Sequence, residues 1–152
     1  MILLCAAIAL LTTTAAMPAA QDANPRFGRW KLKSDAPPPA SNIMTYEAFG
    51  GTGMKITIDS VNREGVASQW WYTTMFDGKE QPITGNRGAD TGTVRVVTDR
   101  ITEIVYRKDG KVAQVLTNVL SPDGNTIGVM FMRVDADGKT TGVTLATYER
   151  IR

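Results

Sequence analysis

Catalysis at neutral pH needs a group that gives or takes a proton, and the commonest one is missing, since the 152-residue chain has no histidine. Its one cysteine, Cys5, sits in an apolar run at the amino end. Ser121 and the threonines have no imidazole to activate them, and no Gly-x-Ser-x-Gly elbow is present. Glu47, Asp59, Glu64, Glu80, Glu103 and Glu149 read as solvated strand faces, because a working carboxylate pair is defined by spatial separation rather than by linear spacing. Asp135-Ala136-Asp137-Gly138 opens like a calcium loop but lacks the acid required at the twelfth position. Gly50-Gly51-Thr52-Gly53 could cradle a phosphate only in front of a helix, and a strand pattern follows it instead. These residues favour a binding protein over an enzyme, with no metal and no cofactor expected. An enzyme built from this set would have to work with Tyr, Arg and carboxylates.

The residues suited to binding are aromatic and sulfur-bearing. In Gln69-Trp70-Trp71-Tyr72 successive side chains alternate between the two faces of a strand, so Trp70 and Tyr72 share one face and Trp71 takes the other. Turned inward, Trp70 and Tyr72 would stack on a guest, while an outward Trp71 would mark an aromatic patch for a protein partner. Met130 and Met132 share one face of a later strand and are candidate wall residues, since methionine adapts to varied apolar guests. Arg133 shares the opposite face with Phe131. If that face is interior, Arg133 is a buried cation that a ligand carboxylate would satisfy. Core filling is the competing reading for all of these side chains. Gly28-Arg29-Trp30 has a structural reading, in which the indole plugs one end of a barrel and the glycine admits a close neighbour.

Charge and leader sequence bound the class of partner. Met1 to Ala20 carries no charged side chain and opens with the apolar run Ile2 to Leu11, followed by small residues. That order predicts a signal peptide over 1–20 and an exported chain, periplasmic or secreted, beginning near Gln21. About ten apolar residues are too few to span a bilayer as a helix. The rest of the chain, 21–152, is then a thiol-free single domain, long enough to bury a core without disulfides. Its net charge of +2 is spread without clusters, whereas nucleic acid or an anionic membrane would require a basic face.

The elements that must position these residues are strands. After Arg26 the chain alternates short period-two segments with glycine-containing turns, and Met54-Lys55-Ile56-Thr57-Ile58-Asp59 alternates strictly between apolar and polar. Asp77-Gly78, Asp109-Gly110, Asp123-Gly124 and Asp137-Gly138 supply the positive φ angles of tight hairpin turns, and the last three pairs are fourteen residues apart. The expected strands are 28–33, 43–49, 54–61, 68–76, 91–98, 101–107, 111–120, 126–134 and 140–150, with a short tenth at 81–84. Connections this short exclude helical crossovers, so the sheet is antiparallel, and closure removes its exposed edges. The expectation is an all-β, up-and-down meander of nine to ten strands closed into a barrel wide enough to hold a small, largely apolar ligand. Two connections are longer than turns: 34–42, with Pro37-Pro38-Pro39 as a stiff crossover, and 85–90.

Gly-x-Trp on the first strand resembles the lipocalin motif, and that resemblance implies an arginine near the end of the barrel stacking over the indole, for which Arg150 in Tyr148-Glu149-Arg150 is the matching residue. A wider likeness runs through Phe27-Gly28-Arg29-Trp30-Lys31-Leu32, Thr45-Tyr46-Glu47, Phe76-Asp77-Gly78-Lys79, Pro82-Ile83-Thr84-Gly85-Asn86, Asp109-Gly110-Lys111 and Ser121-Pro122-Asp123-Gly124. On these segments the chain is similar to small bacterial exported lipocalin-like, calycin-type barrel proteins. The resemblance implies the barrel and brings no catalytic residue with it. Two functional readings follow, an interior ligand-binding barrel or a non-catalytic envelope module with a filled core and a working outer surface.

Overall fold

The computed structural model describes residues 24–38 and 40–152. The expected leader at 1–20, Cys5 and Pro39 of the proline crossover lie outside the described residues. Ten strands follow in order: β1 (Gly28–Leu32), β2 (Ser41–Phe49), β3 (Gly53–Val61), β4 (Ala67–Thr74), β5 (Gln81–Thr84), β6 (Thr91–Val96), β7 (Ile101–Lys108), β8 (Lys111–Leu120), β9 (Thr126–Val134) and β10 (Thr140–Ile151). Each pairs antiparallel with its neighbour in sequence, and β1 also pairs with β10, so the expected all-β meander is a closed ten-stranded barrel with the short tenth strand included.

Turn chemistry explains the strand limits. Asp109-Gly110 joins β7 to β8 with φ of 51° and 75°, the doubly positive turn whose twist matches a hairpin. At Gly124 and Gly138 only the glycine is left-handed, and a carbonyl three residues back, at Ser121 or Asp135, accepts from its N–H. These are type I turns closed by a left-handed glycine, so these three Asp-Gly pairs make two kinds of turn. The expected hairpin turn at Asp77-Gly78 is absent, because Asp77 bridges to Arg95 and the Gly78 N–H donates to the Val94 carbonyl at 3.0 Å, which lays this pair along β6 instead. β4 stops at Thr74, two residues before its expected end, because Phe76 takes φ of 60° and turns the chain away.

Period two sorts the side chains. Met44 and Tyr46 of β2, Met54, Ile56 and Ile58 of β3, Ile104 and Tyr106 of β7, Leu116 and Leu120 of β8, and Ile127 and Val129 of β9 all point inward and are buried. Fully burying one such aliphatic side chain contributes ~1.5–3 kcal/mol. The most enclosed residues, Trp30, Met54, Leu120 and Ile127, are at most 2 % exposed.

Arginines clamp the β1 side of one barrel end. The Arg150 guanidinium lies 4.1 Å from the Trp30 ring centroid. It also donates to the carbonyls of Gly124 at 2.9 Å, Phe27 at 2.8 Å and Pro25 at 2.6 Å. Gly28, with φ of +129°, has room for no side chain, since a Cβ there would lie 2.8 Å from Arg150 Nη1. Arg100 Nη1 donates to the Ser121 carbonyl at 2.7 Å and ties two turns of the same end together.

Candidate functional site

Above this packed floor the barrel encloses a cavity of about 220 Å³, bounded by side chains of β2, β3, β4, β7, β8, β9 and β10 and by Asn86 of the β5–β6 loop. Three aromatic rings form one wall. Trp70 and Tyr72 of β4 are nearly parallel, with centroids 6.0 Å apart and planes 12° apart. Tyr106 of β7 stands edge-on to both, at 5.8 and 5.7 Å. Met44, Ile56, Ile58, Leu116, Val129 and Phe131 supply the aliphatic and phenyl surface.

Polar groups punctuate that surface. The Tyr106 and Tyr72 hydroxyls share one hydrogen bond at 3.1 Å, which uses one of their two hydrogens and leaves the other to be offered to a guest. Asn118 Nδ2 donates to the Tyr46 oxygen at 3.2 Å, and the Tyr46 hydroxyl in turn reaches only the Met44 sulfur, a weak acceptor 3.5 Å away. The Tyr148 hydroxyl donates to Asn42 Oδ1 at 3.1 Å. Burial raises the pKa of all these phenols: Tyr148 is pushed up to about 12, and Tyr46, Tyr72 and Tyr106 lie well above the ordinary phenol value. The hydroxyls are therefore neutral donors and acceptors across the physiological range. Among the described residues no Asp or Glu lines the cavity.

At the opposite end from Arg150, the β5–β6 loop is pinned rather than loose. Asp90 accepts from Lys108 Nζ at 2.7 Å and from the Asp109 backbone N–H at 2.8 Å. These contacts lower its pKa, the backbone hydrogen bond from Asp109 being the larger cause. Asn86 is held over the cavity by a loop that is itself anchored to the β7–β8 turn.

The residues singled out in the sequence separate into two groups. Trp70 and Tyr72 line the cavity, side by side. Met130 and Met132 do not, because Ile127 and Val129 fix the inward parity of β9 and Phe131 continues it, which turns both methionines to the outer wall. There they pair across the sheet with Leu145 and Val143 of β10. Arg133 shares the parity of Phe131 but lies beyond the cavity lining and is exposed, so it is not a buried cation in need of a carboxylate. Gly28, Trp30 and Arg150 meet at one barrel end, with the guanidinium over the indole and against the glycine. Trp71 faces outward, 37 % exposed, with Lys55 Nζ 5.1 Å from its ring centroid.

Tyr46, Tyr106 and Asn118 belong to the cavity and were not among the expected site residues. A signal for one of them exists in the sequence: Asn118 interrupts Leu116-x-Asn118-x-Leu120, placing an amide on an otherwise apolar face. Among the described residues no group of three His, Cys, Asp or Glu side chains could hold a metal.

The architecture and the cavity together define a class, the closed ten-stranded antiparallel barrel with a partly hollow interior. Within that class the chain is similar in fold to the crystal structure of the fluorescent protein UnaG, with a TM-score of 0.55 and 16 % identity over 82 % of this chain and 96 % of that one. An asparagine-to-alanine variant of UnaG gives a TM-score of 0.56 and 16 % identity over 84 % of this chain and 97 % of that one. No family model matches the chain. No curated protein matches it either.

Proposed function

We propose that this protein binds one small, largely apolar ligand inside the barrel, with Trp70, Tyr72 and Tyr106 as the stacking wall. The carrying observation is the cavity itself, an aromatic and aliphatic chamber that also holds incompletely used hydroxyl groups. At about 220 Å³ it is smaller than the roughly 300–1,000 Å³ of pockets for drug-sized molecules, so its guest is compact, on the order of one or two rings. Apolar burial drives the association at roughly 25 cal/mol per Å², and the tyrosine hydroxyls fix orientation. We further infer export to the periplasm or the exterior, on the strength of the uncharged apolar opening of the sequence. Among the described residues no helix is long and apolar enough to cross a membrane.

The test is a titration of the full chain with a panel of small aromatic probes, following tryptophan emission. Saturable quenching that Trp70→Phe diminishes supports interior binding. A flat response across the panel removes it. A second reading places function at a protein partner on the outer wall, favoured by the solvent-facing indole of Trp71. It requires Trp71→Ala to abolish capture of an envelope protein while the fold is kept.

A further inference from the structure

Below the tyrosine layer lies a second, much smaller chamber of about 20 Å³, room for a single water-sized group. Arg26 closes it. This residue precedes β1 and is 6 % exposed. Its backbone is fixed twice, because its N–H donates to Asn24 Oδ1 at 3.0 Å and its carbonyl accepts from Trp30 Nε1 at 2.9 Å. The guanidinium is only partly used: Nη1 donates to the Asp99 carbonyl at 3.0 Å, whereas Nε and Nη2, both enclosed, meet no acceptor among the described residues.

Nε–H and Nη2–H form the parallel edge of the guanidinium, the pair that engages both oxygens of a carboxylate. An enclosed cation with that edge idle is costly unless a negative group meets it. Among the described residues none does: those bordering the small chamber include no Asp or Glu. The Asp99 carboxylate points to solvent, 85 % exposed and 3.8 Å from Arg100. The other polar walls are Tyr46, Thr74, Thr102 and Asn118. Thr74 Oγ already accepts from the Phe76 N–H at 2.9 Å, which leaves its hydroxyl hydrogen to donate. Asn118 Oδ1 also meets no partner, and a half-turn of that amide would present Nδ2 as a donor while giving Tyr46 an oxygen to donate to.

We propose that the Arg26 end of the barrel is a site for one small anion, held by the Nε–Nη2 edge of Arg26 and the polar side chains around it. Tyr46 and Asn118 border both chambers. The negative group therefore has two sources, a free monatomic ion or the carboxylate end of a guest in the upper cavity, and only the second rests on the function proposed above.

Thermal melts of the full chain decide the matter, with sodium chloride or sodium acetate exchanged against sodium sulfate at constant ionic strength. The expected result is a saturable rise in midpoint for the wild type that Arg26→Gln lacks. If Arg26→Gln does not fold, chlorine-35 line broadening by the wild-type protein, relieved by acetate, replaces it. Benzoate and methyl benzoate separate the sources. Benzoate that abolishes the chloride response, where the ester does not, identifies a guest carboxylate; benzoate that leaves the response intact identifies a free ion. A wild-type midpoint indifferent to chloride and acetate, or an Arg26→Gln protein with an undiminished response, overturns the site and points to water there instead. Quenching of tryptophan emission by methyl benzoate in that event leaves interior binding standing without it.

Discussion

The hydroxyls of Tyr106 and Tyr72 share a hydrogen bond at 3.1 Å, and the two rings meet nearly at right angles with centroids 5.7 Å apart. The pair bridges the short strand β5 and its neighbour β6, since Tyr72 stands on β4 and Tyr106 on β7. It also belongs to a larger pattern, because all four tyrosines of the chain are buried inside.

That pattern gives the protein an alkaline limit. Burial holds the four phenols protonated in the folded state, with Tyr148 up to about 12 and the others well above their ordinary value. In the unfolded chain each ionises near a pKa of about 10. The unfolded state then binds fewer protons, so stability is complete below about pH 10 and declines above it, by about 1.4 kcal/mol per pH unit for each tyrosine. Tyrosinate absorbance should rise in one steep step together with loss of the β-sheet dichroism. Gradual ionisation near pH 10 with the fold intact would show that the phenols are accessible.

The Arg150 clamp sets a second expectation. Arg150→Lys keeps the charge but cannot reach three carbonyls and cover the indole at once, so it should cost about 2–3 kcal/mol by urea unfolding. Gly28→Ala should cost about 1–3 kcal/mol through its positive φ and the approach to Arg150. Combined with Arg150→Ala, the glycine substitution should cost less than the sum of the two, because the crowded atom is gone.

Two leucines of the wall, one on β8 and one on β10, make a control pair. Leu120 is 1 % exposed and Leu145 is 77 % exposed. Leu120→Ala should lose about 2–5 kcal/mol, and Leu145→Ala should stay within about 0.5 kcal/mol of the parent. Equal effects would reverse the assignment of inner and outer faces.

Filling the chamber tests its use. Val129→Phe adds a ring to the wall opposite Trp70, and overpacking of this kind costs about 1–3 kcal/mol. The variant should fold and melt cooperatively while losing the saturable quenching of tryptophan emission by small aromatic probes. Unchanged quenching would place the probe on the outer surface.

The wall was legible in the sequence because strand period and turn chemistry are local. Met54-Lys55-Ile56-Thr57-Ile58-Asp59 alternates as written, and even the four-residue β5 announces itself between two glycine-rich segments. Parity was legible only where one face is polar. Met130-Phe131-Met132 offers apolar groups to both sides, and its direction is set by Val129 packing against residues far along the chain. Arg26 shows the same limit more sharply. It stands in a polar stretch before the first strand, and although Trp30 Nε1 is a near neighbour in sequence, its place beneath the barrel also depends on the carbonyl of Asp99, far along the chain, which leaves no local trace.

The slightness of β5 has a mechanical consequence. Only Trp71↔Thr84 and Tyr72↔Ile83 join it to β4, and only Gln81↔Gly92 and Pro82↔Thr91 join it to β6, with Pro82 unable to donate, whereas β2 and β3 share nine residue pairs. A hoop yields where its stave is shortest. The seam is the place for the wall to open beside Tyr72 with the other strands still paired, so the amide protons of Gln81, Ile83 and Thr84 should exchange with deuterium well before those of β2 and β3.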